Sequence, residues 1–168
     1  HCFYHLTGKE LSIRYLAVKS GTTYRGVSVR SVLEVMRKGC VLESDLPFDF
    51  TLPLNRWDGV MQLQRVPVTA YQKLEENKIE GYVRLDPQNL NSIKAALQIG
   101  PLIVAYGLGE NYSAGGIVTQ PSVYRVYHCA LLTGYDEKGN WRIGDSLVPQ
   151  EKFLSRYYSI PWIYQITK

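Results

Sequence analysis

The hydrophobic period of this chain changes once, at Gly100-Pro101, and that change limits the available folds more than any other feature. Ahead of it, apolar residues recur at the three-to-four spacing of amphipathic helices. Behind it, short β-branched and aromatic runs read as strands: Leu102–Ala105, Cys129–Tyr135, Trp141–Ile143 and Tyr157–Ile160. Helices followed by antiparallel strands predict an α+β chain with two lobes, because a βαβ sheet needs the two types to alternate.

Within the first half, Phe3, Leu6, Leu11, Tyr15 and Val18 predict one helix over residues 3–19, stopped by Ser20-Gly21. A second helix is expected over Val29–Lys38. Ser28 is its N-cap, Val32, Val35 and Met36 face inward, and Arg37-Lys38-Gly39 forms a C-terminal signature. Pro47–Pro67 is turn-rich and reads as a surface connection. A short helix around Ala70–Glu76, a strand near Gly81–Leu85 and a helix around Asn91–Ile99 complete the half.

Composition narrows the class further. At 168 residues and 45% hydrophobic content, the chain fits one domain or two small lobes, here a mainly helical 1–85 and a mainly β 86–168. Thirteen Tyr, four Phe and three Trp exclude intrinsic disorder. The formal charge is +4, but the basic residues are scattered, so no nucleic-acid footprint is expected. No run approaches a membrane span, and no signal peptide opens the sequence. The three cysteines cannot all pair within the chain and form no CxxC, and with His1, His5 and His128 they give no zinc pattern. No cofactor or structural metal is expected. The start at His1 rather than Met leads us to expect a processed product or a fragment.

The chemistry-bearing piece is the C-terminal hairpin. His128 heads the run Cys129-Ala130-Leu131-Leu132, the loop 136–140 turns the chain, and Trp141-Arg142-Ile143 returns it to Gly144-Asp145-Ser146. If Tyr135 opposes Trp141, His128 lies opposite a residue near 148 and within a few residues of Asp145, with a bulge at Gly139 able to shift the register. A carboxylate beside an imidazole fixes its tautomer and stabilises its protonated form, as a general base requires. The same residues also fit a hydrogen-bonded His at a strand end beside an unrelated Asp. Cys2 precedes a helix, whose N-terminus lowers a thiol pKa; taken alone it fits a small buried hydrophobe as well, as Cys40 and Cys129 do. A nucleophile needs a base, and His128 is the one on offer.

Two other patterns fail. Gly144-Asp145-Ser146-Leu147 spells the nucleophile block of GDSL esterases, but all three histidines precede it, whereas that chemistry needs a His downstream. Gly107-Leu108-Gly109-Glu110-Asn111 lacks the third Gly or the Lys-Ser/Thr of a phosphate loop.

Three blocks, in order and covering nearly all of the chain, resemble the papain family of cysteine proteases, in particular its compact bacterial and viral-type members. Cys2-Phe3 resembles the Cys-aromatic start of the family's active-site helix. Gly26-Val27-Ser28, the following helix and Gly39–Phe48 resemble its glycine-rich substrate wall, helix and Pro-Tyr segment. The third block is the most specific. Ile93–Val104 resembles the helix and strand before the catalytic His, and Tyr127-His128-Cys129-Ala130-Leu131-Leu132-Thr133-Gly134-Tyr135 resembles the family's His-Ala-Val-x-x-Val-Gly-Tyr. Trp141–Leu147 falls on its Trp-x-x-x-Asn-Ser-Trp, and Tyr158–Tyr164 resembles its terminal strand.

The resemblance implies a papain-like two-lobed fold with a substrate cleft between the lobes and a peptide or protein as substrate. It implies Cys2 as thiolate nucleophile, His128 as base and then acid, and Asp145 as the group orienting His128. Gly26 would pair its backbone with an extended peptide, and Val27, Ala105 and Cys129 would line a side-chain pocket. The chain departs from the pattern at several points: Asp145 replaces Asn, Leu147 replaces the Trp shielding the His–Asn contact, and the family's oxyanion Gln has no counterpart ahead of Cys2. Two outcomes are therefore expected to compete, a thiol endopeptidase and a papain-like module without catalysis. An N-terminal segment or partner chain before His1, supplying the oxyanion donor, is the expectation that reconciles the first with the sequence.

Overall fold

The computed structural model describes residues 1–23, 25–48, 66–107, 127–144, 146–148 and 162–168. Most of the expected 47–67 connection, the expected strand at 157–160, residues 108–111 and Asp145 lie outside these residues. The chain forms two compact units. One comprises His1, Phe3–Gly81 and Thr167–Lys168; the other comprises Cys2 and Tyr82–Ile166.

The first unit is helical. The single helix expected over 3–19 is instead two, α1 (Cys2–Thr7) and α2 (Ile13–Ser20). Gly8, left-handed at φ 68°, ends α1, and the Ser12 side chain caps α2 by accepting from the Tyr15 amide. Between them Leu11 bridges Leu42. The buried Ser12 hydroxyl also donates to the Leu46 carbonyl at 2.7 Å, so one residue ends a turn and anchors a loop. Helix α3 (Val29–Lys38) has the expected bounds, with the Ser28 side chain accepting from the Ser31 amide and Leu33, Val35 and Met36 buried. Gly39 follows at φ 102°, where an added Cβ would lie 2.4 Å from the Leu74 carbonyl oxygen, so only glycine fits. The expected helix near 70–76 is α4 (Val68–Gln72) followed by a 3₁₀ turn, Leu74–Glu76. The end of the chain closes this unit: the Glu80 amide donates to the Thr167 carbonyl at 3.0 Å, and Lys168 Nζ sits 5.0 Å from the Phe3 ring centroid.

The second unit is built on a six-stranded sheet: β1 (Gly81–Leu85), β2 (Leu102–Gly107), β3 (Tyr127–Tyr135), β4 (Trp141–Ile143), β5 (Ser146–Val148) and β6 (Trp162–Thr167). Its spatial order is β1-β6-β2-β3-β4-β5, and the outermost residues of β1 and β6 count with the first unit. Helix α5 (Leu90–Leu97), capped by Asn89, buries Ile93 and Ala96. These join Leu102, Val104, Tyr106, Leu132, Trp141, Ile143, Val148 and Ile163 in one apolar core. Strand β2 forms because Gly100-Pro101 ends the helix and the apolar run after it pairs on both sides, with β3 and with β6.

The β3–β4 hairpin has Tyr135 opposite Trp141, as expected. Asp136 makes the turn, its carboxylate accepting from the amides of Lys138 and Asn140 and from the Asn140 side chain. Those bonds, the Asn140 side chain foremost, hold Asp136 below the usual carboxylate range. Two expectations are corrected. The register shift lies between Leu132 and Gly134, not at Gly139. Beyond Ile143 the chain also leaves β3: Gly144, at φ 55°, donates to Leu131, and β5 folds back along β4 to put Val148 opposite Trp141. Position 148 therefore does not oppose His128, because a second hairpin intervenes.

Candidate functional site

His128 is exposed near the start of β3 and pairs across the ladder with Tyr106. Cross-strand partners share a sheet face and successive residues alternate. His128, Tyr106 and the core residues Val104 and Leu132 therefore share one face, while Ala105 and its partner Cys129 lie on the other. The Tyr106 and His128 rings pack edge to face, with centroids 5.6 Å apart and planes at 85°. Tyr106 itself is 2% exposed, so a fixed core ring lies against an exposed imidazole.

Cys2 has a different setting. It opens α1, is buried, and its thiol donates to the Pro101 carbonyl at 3.3 Å. Burial pushes the thiol from an ordinary 9.0 up to about 11, with the Cys129 thiol adding to the rise. Cys2 is thus a neutral hydrogen-bond donor at pH 7, the reverse of the lowered pKa expected at a helix N-terminus. The cause is that α1 is short and its first turn is buried, so desolvation exceeds any favourable dipole.

Pro101 adjoins the start of β2 and Tyr106 stands near its end, roughly 16 Å of extended chain away. The Cys129 thiol, one residue after His128 on β3, is near enough to act on Cys2, while the His128 side chain belongs to the opposite face of the strand.

The remaining expected residues fall as follows. Asp145 lies outside the described residues; its flank Gly144 is bonded to Leu131, three residues from His128 along β3. Ala105 is buried and Cys129 exposed, directly opposite each other across β2–β3. In the first unit, Gly26 adopts φ 93°, and Val27 is 38% exposed. The Gly26 amide donates to Thr23 at 2.8 Å and its carbonyl accepts from the Thr23 amide at 3.2 Å. Both backbone groups expected to pair with a substrate are therefore engaged in a local turn. Tyr106 is the residue that the sequence reading missed. Its only signal was an aromatic ending the apolar run at 102–105, and the pairing with His128 required the β2–β3 register.

No protein-family model matches the chain, and no curated protein matches its sequence. Solved structures do match its fold. Xylellain, a cysteine protease from Xylella fastidiosa, superposes with a TM-score of 0.72 at 17% identity, over 94% of this chain and 70% of that one. The Carica candamarcensis cysteine protease CMS1MS2, in complex with E-64, matches at 0.64 and 18% identity over 98% and 81%. The bromelain protease from Ananas comosus, in complex with the E64 inhibitor, matches at 0.62 and 17% over 99% and 82%. With its helical first half and its sheet led by His128, the chain has the α+β fold of the papain-like cysteine proteases.

Proposed function

We propose that the chain is a papain-like cysteine peptidase acting on peptides or proteins, with His128 as its general base and acid. One observation carries this reading: in a papain-like fold, an imidazole stands exposed at the head of the strand where the resemblance expects the catalytic His. An imidazole there can take a proton from a thiol and return it to the leaving amine. Asp145, which follows Gly144 in the sequence, is the proposed orienting carboxylate. Ala105 and Cys129 are the proposed pocket residues of this unit, and Gly26 and Val27 those of the other.

Cys2 is the proposed nucleophile. To attack a carbonyl it must leave the Pro101 carbonyl and give up a proton held with a pKa of about 11, which is the task of the His128 base. The alternative is a papain-like module without catalysis. It is favoured by the raised pKa of the buried Cys2 thiol and by Leu147 standing in place of the shielding Trp.

The test is to treat the full-length polypeptide with E-64, the ligand of two of the structural neighbours, and to map the label by mass. The expected result is one labelled thiol, Cys2, with the label lost in Cys2→Ala and in His128→Ala. Labelling of Cys40 or Cys129 instead removes Cys2 as nucleophile. No labelling at neutral pH removes the peptidase reading in favour of the inactive module.

A further inference from the structure

We infer that Tyr106 is a positioning residue for His128. The inference rests on the reading of His128 as the base. A general base must hold its ring in one orientation, and misplacing a reacting group by about 1 Å costs on the order of a hundred-fold in rate. His128 is exposed and close to the start of its strand, so its ring orientation about χ1 and χ2 is set by side-chain contacts and not by the backbone alone. Tyr106 restricts that rotation from within the core. It is 2% exposed, it is the direct ladder partner of His128, and the two rings meet edge to face with centroids 5.6 Å apart. This is a favoured arrangement for aromatic quadrupoles, and it makes one side of the imidazole site apolar.

The shield that the resemblance implies differs in this chain. The resemblance puts a Trp at the position of Leu147, whereas Leu147 is 41% exposed on β5, which pairs with β4 and not with β3. Tyr106 approaches from the opposite neighbour of β3. It does so from a strand whose register is fixed by six consecutive pairs, Leu102↔Leu132 through Gly107↔Tyr127. The imidazole is thus held by the strand that precedes it in sequence, and its orientation depends on a core side chain that does not touch substrate.

Two readouts on the full-length protein test this. The first needs no activity: NMR of the His128 ring protons, assigned by comparison with His128→Ala. Tyr106→Leu should shift these resonances by loss of the ring current, and Tyr106→Phe should leave them nearly unchanged. The second is kinetic. Tyr106→Leu should lower kcat about a hundred-fold with little change in KM, and Tyr106→Phe should restore most of it. Unchanged His128 ring resonances in folded Tyr106→Leu overturn the inference, as does an undiminished kcat. A loss in Tyr106→Phe equal to that in Tyr106→Leu also overturns it, since the hydroxyl would then be the active group. If Tyr106→Leu does not fold, the Phe variant decides. If the wild type lacks peptidase activity, the proposed function fails, while the NMR comparison still decides whether Tyr106 holds His128.

Discussion

The two ends of β2 hold side chains that the sequence joined into one site, and they treat them in opposite ways. At the Pro101 end the Cys2 thiol is buried, protonated and donating to a backbone carbonyl. At the Tyr106 end the His128 imidazole is exposed and packed on one side against a core ring. A thiol must shed its proton before it can attack, so burial at the first end holds Cys2 in its unreactive form until that proton has an acceptor. An exposed imidazole packed against a core ring is the kind of group that can accept one. Burial and neighbours, more than residue type, thus set reactivity.

The largest effect tests both ends at once. In a protein that hydrolyses a peptide substrate, His128→Ala should reduce kcat/KM about ten-thousand-fold, and Cys2→Ala should reduce it at least as far. A loss under about tenfold in Cys2→Ala would leave that thiol a structural role only.

The next effect lies in alkaline stability. The folded-state pKa of Cys2 is raised from 9.0 to about 11, so the folded state binds the proton more tightly than the unfolded chain. The resulting stabilisation is complete below about pH 9 and is lost as pH rises towards 11. Two pKa units correspond to about 3 kcal/mol. Cys40, raised to about 12 by burial, acts in the same direction. Denaturant unfolding at pH 8, 9.5 and 11 should show a fall that Cys2→Ala makes shallower. An identical slope in that variant would mean that the thiol is not buried as described.

The smallest effect concerns what sets the position of α1. Gly8 is left-handed and its amide donates to Tyr4 at 2.7 Å, closing the helix. Gly8→Ala has room for its methyl but not a relaxed backbone, so it should cost about 1 kcal/mol in denaturant unfolding. The His128 ring resonances should not move. If they do, the two ends are coupled.

Much of this architecture was readable in advance because it is local. Ser28 and the charged end Arg37-Lys38-Gly39 bound α3 correctly, since a cap and a stop act within a few residues. The Tyr135–Trp141 pairing followed from the length of the Asp136–Asn140 turn. What failed was non-local or masked by periodicity. The three-to-four spacing ran through Gly8 and hid the break between α1 and α2, although Gly8 and Ser12 are both terminus signals. The register shift beside Thr133 and the fold-back at Gly144 depend on packing in the sheet, and they removed the alignment of position 148 with His128. In the site, the long motif around His128 led to a strand head, and the structure has His128 near the start of β3. The burial of Cys2 and its bond to Pro101 had no local signal, because a Cys beside an aromatic at a helix start occurs equally in a core and at a surface.

The helical unit is completed by Thr167 and Lys168, which pair with Glu80 and cover Phe3. On a ribosome, residues 3–81 are therefore made well before the two residues that finish their packing. Deleting Thr167 and Lys168 should loosen a region some ninety positions upstream, and a pause in synthesis before residue 167 should expose that region to proteases for its duration.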